Sequence, residues 1–209
     1  MLDTDKSTVI NRSHNPFMQT PRQKEIVDTA LDLIEKKGIQ GLTIKNLSKE
    51  IGISEPAIYR HFESKTDILK AIVALFKKNS TTMFEQERNK KLTAPEKIEQ
   101  IFARHFATFV SNPALVHVIF SEDVFKAEES LLDSIAWVIR NNDKILTTII
   151  REGQEKQEIR DDLPAGHLAL IIMGSLRLFV KKWQFSNHAF DLRSEGKNLM
   201  QSIQCLIIK

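Results

Sequence analysis

Thr43-Ile44-Lys45-Asn46-Leu47-Ser48-Lys49-Glu50-Ile51-Gly52-Ile53-Ser54-Glu55-Pro56-Ala57-Ile58-Tyr59-Arg60-His61-Phe62-Glu63-Ser64-Lys65-Thr66-Asp67-Ile68-Leu69 holds two short helical patterns joined at a glycine. Ile44, Leu47 and Ile51 recur at helical spacing and bury one face. Gly52 permits a tight turn, because no Cβ obstructs a left-handed backbone. Ile53 plugs the space between the helices and Ser54 caps the next one. That helix runs from Glu55 to about Phe62. Ile58 and Phe62 turn inward, so Pro56, Ala57, Tyr59 and Arg60 face out. A short helix with an exposed N-terminus is what a DNA major groove admits. The same turn and plug residues also suit an ordinary helical hairpin inside a bundle, so the pattern alone leaves both readings open.

Working outward, helix signals continue in both directions. Thr20-Pro21-Arg22-Gln23 forms a capping box with proline at the first helical position, and Gly38 ends that helix. Ser64 to Asp67 and Thr93 to Glu96 are two more capping boxes. Asn112-Pro113 and Asp161-Asp162-Leu163-Pro164 are breaks. About nine helices result, with no strand-like alternation of useful length. The chain has 209 residues, 42% hydrophobic and 27% charged, which fits one large or two small globular domains. Only 7 Gly and 6 Pro are present, too few for a turn-rich β fold. The expected fold is all-α, with three parts. Residues 1–19 are a flexible arm, 20–70 a helix-turn-helix head, and 71–209 a larger helical body, to which the family resemblance described below assigns effector binding and dimerisation.

One cysteine, Cys205, excludes an internal disulfide and a cysteine-based zinc site, and points to a reducing compartment. Residues 1–19 lack the apolar core of a secretory signal. The longest apolar run, Leu168 to Val180, contains Arg177 and is too short to span a bilayer. A cytoplasmic protein with no membrane partner is expected. The net charge of +3 is too small to identify a partner by itself.

Residues 43–69 resemble the DNA-binding signature of the tetracycline-repressor (TetR) family. The likeness covers the turn, the Tyr-x-His-Phe ending and the Ser-Lys that opens the fourth helix. It implies a homodimer that binds a palindromic operator and releases it when a small effector binds. Carried onto this chain, it places Thr43 on a phosphate, with Lys45 beside it. Tyr59 and His61 fall on the sugar-phosphate backbone. Lys65 meets a phosphate at a helix N-terminus, where the dipole also favours an anion. Glu55, Pro56, Ala57 and Arg60 lie nearest the bases. Pro56 and Ala57 offer only apolar contact. Arg60 suits guanine O6/N7 or a phosphate. Glu55 suits the helix dipole better than a cytosine amine. Lys6 and Arg12 of the arm read as solvated, while Arg22 and Lys24 lie nearer the DNA.

The body carries no phosphate loop, nucleophile elbow or zinc-protease motif. His105 and His117, with Glu122 and Asp123 nearby, match no metal spacing, so no metal, cofactor or catalytic residue is expected. Phe102, His105, Phe106 and Phe109 crowd one helix face. His117, Phe120, Phe125, Trp137 and Arg177 follow. Core packing explains any one of them more simply than ligand contact. Taken together they suit a cavity for a mostly apolar effector. Arg177 is read as buried, meeting either an anionic effector group or an acid across the dimer. The last two helices have more apolar surface than one chain covers. Leu170, Met173, Gly174, Leu199, Ile203 and Leu206 are therefore expected at a dimer interface, with Cys205 buried beside them. The alternative is a helical effector- or partner-binding protein that no longer binds DNA specifically, a reading supported by the near charge balance of residues 43–70.

Overall fold

The structure is a computed structural model and describes residues 20–121 and 128–209. The expected arm, with Lys6 and Arg12, and the positions Glu122, Asp123 and Phe125 lie outside the described residues. Nine helices occur among those described. They are α1 (Pro21–Gly41), α2 (Ile44–Ile51), α3 (Glu55–Tyr59), α4 (Lys65–Arg88) and α5 (Ala94–Ser111), then α6 (Ala114–Ile119), α7 (Glu129–Glu155), α8 (Ala165–Phe185) and α9 (Leu192–Ile207).

Local chemistry sets most helix starts. Thr20 and Thr93 form reciprocal capping boxes with Gln23 and Glu96. Asp191 caps α9 through two backbone N–H groups. Ser64 accepts from Asp67 N, but this is only half a box: the Asp67 carboxylate bonds the Ser64 hydroxyl instead of its backbone. Gly38 breaks α1 as expected, with φ +67°, yet one further turn follows to Gly41.

Two details of the turn differ from expectation. The Ser54 side chain makes no cap bond; its carbonyl accepts from Ala57 N instead. α3 ends at Tyr59, not Phe62. There His61 N donates to Ile58 O at 2.8 Å, a tightened closing turn that carries Phe62 back into the core.

Ile26, Ala30, Ile34, Leu47, Ile58 and Ile68 form the buried centre of the head. α4 continues from there into the body, where it lies along α7; α8 covers α7, and α9 packs on α5. α6 touches α1. α4 and α6 therefore tie the head to the body. Glu87, fully buried on α4, holds Arg104 of α5 at 2.6 Å and Lys90 at 2.6 Å. Burial opposes its ionisation, but the hydrogen bonds and charges of Lys90 and Arg104 outweigh it and keep this carboxyl below its ordinary value.

Candidate functional site

In the head, the Thr43 hydroxyl caps α2 by accepting from Asn46 N at 3.0 Å. Gly52 adopts φ +77°, the left-handed turn that separates α2 from α3. Lys45, Glu55, Pro56, Tyr59 and Arg60 are exposed, and Ala57 and His61 are half-buried. Lys65 is turned back toward the protein: its Nζ donates to Ile39 O at 2.7 Å, and burial lowers its pKa.

In the body, a cavity of 440 Å³ lies between α4, α5, α7 and α8. Its inner wall is buried: Phe76, His105, Phe109, Val138 and Asn142. Its rim is exposed: Ile139, Leu170, Gly174 and Arg177. The walls are mostly apolar, and the size suits a small-molecule site.

Four of the expected effector residues meet here: His105, Phe109, Phe120 and Arg177. Arg177 is exposed, not buried. It sits on the rim, with its guanidinium 5.1 Å from the centre of the Phe120 ring. α8 bears one apolar face toward the core and another toward the outside, and Arg177 lies on the outer one.

Phe102 and Phe106 do not line the cavity. Phe106 packs edge-on to Phe102 and Phe179 and lies against Gly196 of α9, where a Cβ would overlap its ring. His117 faces a separate groove with Lys37, Lys65 and Lys181. Trp137 lies on the outside of α7 under Lys77, whose Nζ is 4.0 Å from the ring centre.

Sequence reasoning missed Phe76, Ile135, Val138 and Asn142 as lining residues. Asn142 did leave a signal: it is the polar member of the buried stripe Ile135, Val138, Asn142, Ile145, Ile149 on α7. His105 is sealed between Phe109, which stacks on it, and the edge of Phe84. Burial, helped by the Arg104 charge, lowers its pKa to about 4, so the imidazole is neutral at pH 7.

The residues expected at a dimer interface divide. Leu170 and Leu206 are 69% and 63% exposed, and Gly174 is exposed. Met173 and Leu199 are half-buried. Ile203 is instead buried in the protomer's own core, because its face of α9 packs inward. Cys205 is exposed on the protomer surface. Leu170, Met173 and Gly174 also line the cavity, so its rim adjoins the apolar outer face of α8. Ile171 and Leu178 lie exposed on the same helix.

Among the described residues no helix is long and apolar enough to cross a membrane. No group of three or more His, Cys, Asp or Glu among them is placed to hold a metal ion.

Comparison with known proteins gives a consistent answer along the chain. Residues 26–72 match the family described as bacterial regulatory proteins, tetR family. Residues 76–209 match the C-terminal region of YsiA-like protein. The fatty acid metabolism regulator protein of Bacillus subtilis is 23% identical over 184 residues, covering 87% of this chain and 93% of its own. The crystal structure of the Bacillus subtilis transcriptional regulator FadR in complex with stearoyl-CoA aligns with a TM-score of 0.70 at 23% identity, covering 86% of this chain and 96% of its own. The ketosteroid transcriptional regulator KstR2 of Mycobacterium tuberculosis aligns with a TM-score of 0.78 at 17% identity, covering 92% and 97%. With family matches covering its head and its body, this chain belongs to the TetR family of bacterial regulatory proteins and is a DNA-binding transcriptional regulator.

Proposed function

We propose that the effector is a long-chain acyl thioester and that its binding releases the operator. The observation that carries this reading is the 440 Å³ apolar cavity with Arg177 on its rim. An acyl chain fits the apolar interior, where burying it is favourable. A phosphate-bearing head group stays outside the rim, within reach of the Arg177 guanidinium. The similarity to a regulator crystallised with stearoyl-CoA supports the same choice.

On the DNA side, Lys45, Tyr59 and Arg60 supply the outermost contacts, with Thr43, His61 and the α4 N-terminus at Lys65 on the phosphates. Glu55, Pro56 and Ala57 lie toward the bases. In this reading the head is residues 20–70 and the body residues 71–209, tied together by α4 and by the packing of α6 on α1. α4 belongs to both, so an effector pressing on Phe76 acts on the helix that positions the head. Such an effector shifts the equilibrium only by binding the released form more tightly than the DNA-bound form. The protein acts by binding alone, without catalysis, in the cytoplasm.

The test is a gel shift on the DNA upstream of the chain's own coding sequence, repeated with stearoyl-CoA, stearate and coenzyme A. Release by the thioester alone supports the reading. Release by none of the three rejects it.

A further inference from the structure

Two polar atoms buried at the apolar cavity have no hydrogen-bond partner among the described residues: His105 Nε2 and Asn142 Oδ1. The two residues are only 5% and 3% exposed, and both line the cavity. Neither side chain is free to turn toward water. Asn142 Nδ2 donates to Ser80 Oγ of α4 at 2.8 Å. The His105 ring is clamped between Phe84 and Phe109. Buried polar atoms in native proteins are nearly always paired, so two unpaired ones on the wall of one ligand-sized cavity point to a group supplied by the ligand. A plain hydrocarbon chain leaves both unmet.

We propose that the effector carries a hydroxyl on its apolar body, which donates to Asn142 Oδ1 and accepts from His105 Nε2–H. This deepens the acyl thioester reading and rests on it: the favoured effector is an oxygenated acyl chain, not a saturated one of the same length. The neutral imidazole carries one N–H, so Nε2 can serve as the donor. If the Asn142 amide is turned over, Ser80 donates to Oδ1 and Nδ2 faces the cavity. A hydroxyl then accepts from Nδ2, so it suits both orientations. A keto oxygen only accepts and meets fewer of the arrangements. Both protein atoms are shielded by the lining, so an incoming hydroxyl reaches them by displacing part of that lining.

The experiment is calorimetric titration of the full chain with octadecanoyl-CoA and a positional series of hydroxyoctadecanoyl-CoA thioesters, run beside the corresponding free acids. At least one hydroxylated member should bind at least about tenfold tighter than its parent. In Asn142→Leu that ratio should fall to about one; His105→Phe gives the same reading should Asn142→Leu fail to fold. Equal or weaker binding by every hydroxylated member overturns the inference. A hydroxyl preference among the free acids with no binding of any thioester rejects the thioester reading and leaves the hydroxyl site standing. No binding by any probe rejects both.

Discussion

At His105 a single buried ring links sequence, stability and function. In the unfolded chain this imidazole takes a proton near pH 6.5, and in the fold only near pH 4. Between those values the unfolded state holds more protons, so stability fully present above pH 6.5 is lost as the pH falls toward 4. The loss is roughly 2–5 kcal/mol. Urea unfolding at pH 7 and pH 4.5 should show it in the wild type, and His105→Phe should have a flatter profile over the same interval. An equal pH dependence in both proteins would mean that His105 is not protected from protonation. Phe106 serves as the contrast. It is fully buried against Phe102, Phe179 and Gly196 and lies off the cavity. Phe106→Ala should cost about 3–5 kcal/mol in thermal or urea unfolding without changing which effectors bind. A change in effector preference with little loss of stability would place it in the site after all.

At the scale of helices, the turn between α2 and α3 depends on one residue. Gly52 holds φ +77°, which costs a residue with a Cβ about 1–2 kcal/mol. Gly52→Ala should therefore lower stability by about that amount and weaken operator binding by misplacing α3. Lys45→Ala should leave the fold unchanged and reduce the salt dependence of operator binding by about one unit, since one phosphate contact is lost. An unchanged slope would remove Lys45 from the interface. Helix starts with Thr caps, the Gly52 turn and the inward Ile44, Leu47 and Ile58 were legible because each depends on neighbours within a few residues. The cavity was only half legible. Phe102, Phe106 and Phe109 share one apolar stripe on α5, and nothing local says which part of it meets α9 and which meets empty space. α8 is harder still: it is apolar on two faces, so burial of Arg177 could not be read from its neighbours in sequence. Ile203 and Leu206 are only three residues apart on α9, yet one faces the core and the other solvent.

At the scale of the whole molecule, we propose that the exposed apolar residues of α8 and α9 form the contact between protomers. Leu178 is 72% exposed and Leu206 63%. Leu178→Glu with Leu206→Glu should give a folded monomer in analytical ultracentrifugation, whereas Ile203→Asp should unfold the protomer because it buries a charge. A wild-type monomer at micromolar concentration would place the interface elsewhere. A two-fold protein reads a two-fold site, so the operator should be an inverted repeat. α4 runs from Lys65 at the edge of the head to Phe76 at the cavity wall, and we propose that it carries the effect of ligand binding to the head. Fluorescence anisotropy of a labelled operator duplex, titrated with stearoyl-CoA in the presence of the dimer, reads both ends of that path at once. Anisotropy should fall to the value of free DNA as the thioester saturates the protein, and Arg177→Ala should need more thioester to reach the same point. An operator complex that persists while calorimetry shows the thioester bound would contradict release by an effector in this cavity.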